Sequence, residues 1–102
     1  MKKEETIIVG KIIKALRKQL LFSQEDLADF SKKDRNTIRD LERDQYNPAL
    51  VTIFRLAVVL DMKPSELVRK IEKVEENSEY INVFQSEVDE MKIVIKKDKR
   101  SQ

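Results

Sequence analysis

The chain has 102 residues, of which 40% are apolar and 39% are charged, and its formal net charge is only +2. This length fits one compact domain with a short appendage, and the balanced charge means that any strongly charged surface must be local. Because the sequence contains no Cys and no His, it excludes disulfides, thiolate metal sites and a histidine general base, and it predicts no enzyme, metal or cofactor.

The first predicted helix follows a charged lead-in of residues 1–6 and extends to about Leu21. Apolar side chains recur in this stretch at helical spacing, which predicts an amphipathic helix. They are Ile8, Ile12, Ile13, Leu16 and Leu20.

Residues 23–48 predict two short helices joined by a tight turn, the layout of a helix-turn-helix. Ser23 is suited to cap the first of them, and Asp34 the second, whose apolar stripe contains Ile38 and Leu41. Residues 32–43 carry five basic and three acidic side chains, a local positive excess that residues 73–102, with six and seven, lack. The polar face of the second helix carries Arg35, Asn36, Arg39 and Arg43.

Asn47 and Pro48 end this motif, because Pro48 lacks a backbone donor and pushes the preceding residue out of the helical region. A fourth helix is predicted next, with an apolar stripe expected to be core. The stripe consists of Leu50, Ile53, Phe54, Ala57 and Leu60. Pro64 stands at or just before the start of a fifth helix, which ends by about residue 72.

The tail follows a linker-like stretch, Glu75-Glu76-Asn77-Ser78, and allows two conformations. Apolar residues spaced 3, 4, 3 and 4 predict a helix with a heptad seam, although the β-branched content also permits a hairpin of residues 80–85 with 91–97. The connection lacks Gly, which favours the helix. The seam consists of Ile81, Phe84, Val88, Met91 and Ile95. The predicted organisation is a DNA-binding domain at 7–72 and an extension at 73–102 that dimerises.

Residues 10–68 resemble the lambda-repressor-like, or Cro/XRE-type, family of helix-turn-helix regulators. The pattern is specific only in combination. It comprises Gly10, Ile13, Leu16 and Arg17, then residues 23–28, 34–38, 41–43, 47–48, 56–60 and 65–67. The resemblance implies an all-α, five-helix lambda-repressor-like DNA-binding domain with a C-terminal extension.

Two positions depart from the family pattern. The family usually has Gly and a small apolar residue in the turn after the second helix, where this chain has Lys32 and Lys33, and Gly after the Glu-Arg pair, where it has Asp44. If these positions keep a left-handed backbone, a non-Gly residue there costs on the order of 1 kcal/mol. The fold is expected to survive, and these substitutions bear on the turn geometry and on the register of nearby phosphate contacts.

In this family the third helix enters the major groove and the start of the second helix meets the DNA backbone. By position, the resemblance implies base contacts by Arg35, Asn36, Arg39 and Asp40. Phosphate contacts are expected from Gln24, Thr37, Arg43, Lys32, Lys33 and Tyr46. The resemblance further implies a structural ion pair between Arg17 and Glu42. A solvated helix face is the alternative for the base-contacting residues.

The predicted function is that of a sequence-specific transcriptional regulator, a repressor that binds a pseudo-palindromic operator in double-stranded DNA as a homodimer. The alternative is an antitoxin-like protein-interaction module whose tail binds a partner protein through residues 78–97. A small-molecule sensor is weaker, because the tail is too short for a pocket of several hundred Å³. Without a signal peptide or a run of about 20 apolar residues, the chain is expected to be cytoplasmic and to make no membrane contact.

Overall fold

The computed structural model describes residues 6–100, which form six α-helices and no strand. The helices are α1 (Gly10–Gln19), α2 (Gln24–Ser31), α3 (Arg35–Glu42), α4 (Leu50–Val59), α5 (Pro64–Glu72) and α6 (Glu75–Arg100). The predicted all-α fold with a helical extension is confirmed, and the hairpin alternative for the tail is wrong. Residues 1–5 of the predicted lead-in, and residues 101–102, lie outside the described residues.

Three polar side chains from distant parts of the chain hold the backbone that leads into α1. The N–H of residue 7 donates to Asn47 Oδ1 at 2.9 Å, and that of residue 8 to Asn77 Oδ1 at 2.8 Å. The next two N–H groups, of residues 9 and 10, both donate to Asp44 Oδ1, at 2.8 and 2.9 Å. α1 begins at Gly10 instead of near Ile8, as the apolar spacing predicts, and these side chains satisfy N–H groups that have no partner within the helix.

Gly10 lies where α1 meets the end of α3. A Cβ at this position would overlap the backbone carbonyl group of Glu42. Only Gly permits such a close approach of two backbones. The first turn of α1 therefore rests directly on the C-terminal end of α3.

The two helices of the predicted motif each begin at a side-chain cap. Ser23 Oγ accepts from the Asp26 N–H at 2.9 Å, and Asp26 Oδ2 accepts from the Ser23 N–H at 2.8 Å, which completes a capping box. Asp34 Oδ1 accepts from the Thr37 N–H at 2.7 Å. Isolated helices of eight residues are marginal in water, so these caps and tertiary packing together determine where α2 and α3 form.

The core lies among α1–α5, and the apolar face of α3 packs on it. α3 packs against both α1 and α2, while α4 packs against α2 and α5. Each of these helices contributes at least one fully buried apolar side chain. The largest are Ile13, Leu27, Ile38, Leu41, Leu56 and Leu67.

Two members of the predicted α4 stripe are not core. Leu50 and Phe54 are 67% and 50% exposed, whereas Ile53, Ala57 and Leu60 are buried as expected. The reason is that α4 is apolar around more of its circumference than α2 and α5 cover. An exposed apolar strip therefore remains along α4, completed by Val51 and Val58.

The linker prediction for residues 75–78 is wrong. α6 starts only three residues after the end of α5, and Asn77 is 3% exposed. Asn77 Nδ2 donates to the carbonyl oxygens of Ile8 and Ile71, both at 2.8 Å, in addition to the bond that Asn77 Oδ1 accepts. Asn77 therefore joins α6 to the N-terminal segment and to α5 through buried hydrogen bonds, although a polar residue of this kind would also suit a linker.

Beyond Asn77, α6 extends away from the domain, and the described part of the molecule measures 60 × 32 × 22 Å. Among residues 6–100, each helix lacks the combination of length and apolar character that crossing a membrane requires.

Candidate nucleic-acid interface

α3 presents one polar face to solvent. This face consists of Arg35, Asn36, Arg39 and Asp40, which neighbour one another at spacings of three and four. The first three are exposed and Asp40 is half-buried, while Ile38 and Leu41 on the other side are fully buried. The structure thus brings all four predicted base-contacting residues onto one accessible surface.

The cap at Asp34 fixes the first turn of α3, where Arg35 and Asn36 lie. Hydrogen bonds from Thr37, by its backbone N–H first and then by its side chain, lower the pKa of the Asp34 carboxyl group. Asp34 is therefore ionised at neutral pH, the form that accepts the capping bond and that favours the positive end of a helix dipole.

A buried ion pair ties α1 to the end of α3. Arg17 Nε and Nη2 donate to Glu42 Oε2 and Oε1 at 2.6 and 3.0 Å, and these side chains are only 9% and 3% exposed. Arg17 Nη1 also donates to the Phe22 carbonyl oxygen at 2.8 Å, just before α2. The hydrogen bond to Glu42 raises the pKa of the Arg17 guanidinium despite burial, so Arg17 stays protonated. One guanidinium therefore connects α1, the entry to α2, and α3.

Gln24, the first residue of α2, belongs to the same network. Its Nε2 donates to Glu42 Oε1 at 3.1 Å, and the residue is half-buried. A carboxamide carries two N–H donors, so this bond orients the side chain without consuming both. The residue expected to meet phosphate is thus held at a fixed place beside α3.

Tyr46 follows α3 in the chain and hydrogen-bonds back to it. Its hydroxyl donates to the Thr37 carbonyl oxygen at 3.5 Å, a long hydrogen bond, and the residue is half-buried. Burial, with smaller contributions from the Asp40 and Asp34 carboxylates, raises the pKa of the Tyr46 phenol. The hydroxyl is therefore protonated at neutral pH and remains a hydrogen-bond donor.

The expected phosphate contacts divide by accessibility. Lys32, in the turn before α3, and Arg43, at the C-terminal end of α3, are exposed, whereas Lys33 and Thr37 are half-buried. The exposed cations flank the polar face of α3. They extend its positive surface beyond the residues that could reach base edges.

Both departures from the family pattern keep the left-handed backbone. Lys32, the C-cap of α2, has φ 60° and ψ 40°, and Asp44 after α3 has φ 55°. The turn between α2 and α3 thus adopts the conformation that Gly would allow, and Lys32 is exposed there. Asp44 differs, because its carboxylate caps α1.

Sequence reasoning missed the three side chains that hold residues 7–10. Asp44 was identified only as a departure from Gly, Asn47 only as the residue before a proline, and Asn77 only as part of a linker. No local pattern marks them, since each partner is at least 34 positions away along the chain. The one available signal was an Asp at a position that favours Gly.

Comparison with known proteins identifies both sequence and structural relatives. The family model for helix-turn-helix proteins matches residues 13–67, which include α2 and α3. The immunity repressor protein of Bacillus phage phi105 is 34% identical over 91 residues. That match covers 88% of this chain and 63% of the repressor, so the chain spans less than two thirds of its relative's length.

Two solved structures share the fold and part of the sequence. The restriction-modification controller protein C.AhdI from Aeromonas hydrophila is 41% identical with a TM-score of 0.57, over 60% of this chain and 92% of that one. The hypothetical transcription factor NHTF from Neisseria is 26% identical with a TM-score of 0.57, over 66% of this chain and 79% of that one.

Proposed function

Since this chain belongs to the lambda-repressor-like (Cro/XRE-type) helix-turn-helix family of DNA-binding regulators, we propose that it is a sequence-specific transcriptional repressor acting in the cytoplasm as a homodimer on a pseudo-palindromic operator. The observation that carries the proposal is the exposed polar face of α3, whose opposite face is packed on the core. A short helix supported in this way can enter the major groove without losing its own stabilising contacts.

Base reading is assigned to the exposed residues of this face. The guanidinium groups of Arg35 and Arg39 have the fork geometry that matches O6 and N7 of guanine, and the Asn36 carboxamide matches N6 and N7 of adenine. Asp40 is the exception, because a carboxylate near DNA repels phosphate unless it accepts a hydrogen bond from a cytosine amine. G·C pairs are therefore expected in each half-site.

Phosphate contacts are assigned around this face and give affinity without sequence information. Exposed Lys32 and Arg43 supply positive charge, and Gln24 supplies an N–H already oriented by Glu42. Lys33, Thr37 and Tyr46 have less accessible side chains, so we assign them secondary roles at the edge of the contact.

Repression and two-fold symmetry are supported by different observations. A phage immunity repressor and a restriction-modification controller are among the relatives, which favours a regulator that acts at a discrete site. Most apolar side chains along α6 are exposed, including Phe84 at 51% and Met91 at 55%, which favours pairing of two chains. Paired subunits would place their α3 helices in successive major grooves, about 34 Å apart.

Selection of bound sites from random DNA duplexes tests the proposal. The expected product is a two-fold-symmetric motif with G·C pairs in each half, spaced by about one helical turn. Enrichment of no motif, with equal affinity for all duplexes, would contradict sequence-specific regulation. A motif without symmetry would instead contradict the homodimer.

A second candidate function is binding of a different protein by the tail, as in an antitoxin. The same exposed apolar side chains within residues 78–97 are the observation that favours it. Light scattering of the full chain at micromolar concentration separates the two candidates. A dimer supports the repressor proposal, and a stable monomer supports a different partner.

A further inference from the structure

We propose that the surface along α6 pairs with α6 of a second copy of this chain, and that the two helices run antiparallel. This inference rests on the homodimer proposed above, and it adds the orientation of the contact and the residues that form it. Three observations carry it: the attachment of α6 to the domain, its apolar stripe and the distribution of its charges. The separation that the pairing would give the two domains agrees with them.

α6 is attached firmly enough to set the geometry of a dimer. It contains 26 residues, which corresponds to a length of about 39 Å. Its first turns are fastened by buried Asn77, which bonds the N-terminal segment and α5, and by Ser78 Oγ, which donates to the Glu72 carbonyl oxygen at 3.1 Å. A helix held at its base in this way transmits its orientation to the domain.

The apolar stripe of α6 is continuous over its free length. Ile81, Phe84, Met91 and Ile95 are 45–55% exposed although they lie on one face, and Val88 fills the position between them. Spacings of 3 and 4 place such residues along the seam of two packed helices. The ring of Tyr80 stacks on that of Phe84 with centroids 6.3 Å apart, which widens the stripe at the domain end.

The charges of α6 are divided between its two halves. Residues 75–90 contain six carboxylates and no Lys or Arg, whereas residues 91–100 contain five basic residues and a single acidic one. In an antiparallel pair, the basic end of each helix lies beside part of the acidic half of the other. In a parallel pair, acidic halves lie together and basic halves lie together.

One local contact favours the parallel arrangement. Counting the seam as a heptad, Glu87 and Lys92 occupy the flanking positions that meet across a parallel pair. This gives two symmetric ion pairs, and exposed pairs of this kind contribute little. The remaining charges are more numerous and, with Asp98 as the exception, are of one sign within each half, so their summed effect decides the orientation.

Antiparallel pairing also places the two DNA-binding domains suitably. The two alternating seam registers put Ile81 opposite Met91, or Phe84 opposite Ile95, of the other copy. The two Asn77 residues are then about 27 Å apart along the helix pair in the first register and about 38 Å apart in the second, on either side of the spacing of about 34 Å between successive major grooves. In a parallel pair, the two Asn77 residues would be only about 10 Å apart.

Disulfide cross-linking of the full chain tests the orientation, because the natural sequence contains no Cys. A disulfide requires Cα atoms about 4.4–6.8 Å apart. Single variants Ile81→Cys and Met91→Cys, and separately Phe84→Cys and Ile95→Cys, would be oxidised alone and as equimolar mixtures. In one of the two mixtures we expect at least fivefold more cross-linked dimer than in either of its components alone.

Val83→Cys is the matched control, because Val83 lies off the seam and is 62% exposed. It should cross-link neither alone nor in mixtures. Efficient cross-linking of each seam variant with itself would show a parallel pair and overturn the inference while leaving the homodimer intact. A dimer without any seam cross-link would also overturn it, and a monomer by light scattering would overturn the homodimer as well.

Charge reversal gives an independent test. Lys96→Glu with Lys99→Glu should raise the dimer dissociation constant at least tenfold, because the reversed ends would then face the acidic half of the other copy. Lys14→Glu with Lys18→Glu on α1 makes the same change in net charge at exposed positions and should alter it less than twofold. An equal effect of the two double variants would overturn the antiparallel arrangement. Circular dichroism would verify that helix content is retained in both.

Discussion

At the scale of single residues, the side chains of the helix-turn-helix divide into those aimed outward and those that hold α3 in place. Arg35 and Asn36 project from the first turn of a capped helix, and exposure leaves them available to a ligand. Arg17 and Glu42 face inward and are buried in contact with each other. A mutation in either group is expected to reduce DNA binding, so stability and binding must be measured separately.

Arg35→Ala is expected to relax the preference for one base pair of the operator. Loss of a bidentate guanine contact should cost about 1–3 kcal/mol at that position and little at the others. Titration of duplexes with single-base changes measures this effect. Lys32→Ala is the comparison, and it should weaken binding to all duplexes alike and reduce the salt dependence by about one phosphate contact. A uniform loss with Arg35→Ala would reassign that residue to phosphate.

Glu42→Ala is expected to lower the free energy of unfolding by about 3–5 kcal/mol, because Arg17 would remain buried without a partner. Urea denaturation measures the change. The double variant Arg17→Met with Glu42→Leu should lose less, since it removes both charges. Glu76→Ala is the control: it breaks the exposed Lys11–Glu76 pair and should leave stability nearly unchanged. Equal losses for Glu42→Ala and Glu76→Ala would contradict a structural role for the buried pair.

At the scale of elements, the turns that flank the short helices decide how α3 is presented. Two of these turns have a left-handed residue where the family favours Gly, yet the two side chains differ in what they do. Lys32 is exposed, whereas Asp44 bonds the first backbone N–H groups of α1. The same substitution should therefore have opposite effects at the two positions.

Lys32→Gly is expected to raise the free energy of unfolding by up to about 1 kcal/mol, because Gly removes the strain of a left-handed side chain. Asp44→Gly gains the same relief but loses two hydrogen bonds to a charged acceptor, each worth about 1.5–3 kcal/mol, so it should be destabilising overall. Asp44→Asn, which keeps an acceptor and tolerates this backbone, should fall between them. Urea denaturation of the three variants checks the order, and stabilisation by Asp44→Gly would contradict the capping role.

At the scale of the whole molecule, α6 consists of two segments with different surroundings. Its first turns complete the domain through Asn77, and its remaining length exposes an apolar stripe. Stability and assembly should therefore respond to different segments of one helix.

Truncation after Ser78, which retains Asn77, is expected to leave the domain folded but monomeric and weak in binding a two-half-site operator. Asn77→Ala in the full chain should do the reverse: it should lower the free energy of unfolding by about 2–3 kcal/mol, because backbone groups lose buried partners, and leave dimerisation intact. Light scattering and urea denaturation together check both. If the truncated chain still dimerises and binds the operator, the free length of α6 serves a different partner.

The sequence by itself determined the elements whose causes are local. Apolar spacing, the caps at Ser23 and Asp34, and Pro48 and Pro64 predicted five helices, and the absence of Gly from the tail favoured a sixth over a hairpin. The polar face of α3 followed in the same way, because spacing along one helix places its residues.

Only the tertiary structure decided what depends on contacts between distant residues. It showed that Asn77 makes buried hydrogen bonds instead of lying in a linker, and that Asp44 caps α1. It also showed that the side chains of Leu50 and Phe54 are exposed to solvent. The physical reason is that a polar side chain bonds whichever backbone donors folding brings to it. An apolar side chain, likewise, is buried only where another element covers it. Neither outcome is encoded in the few residues on either side.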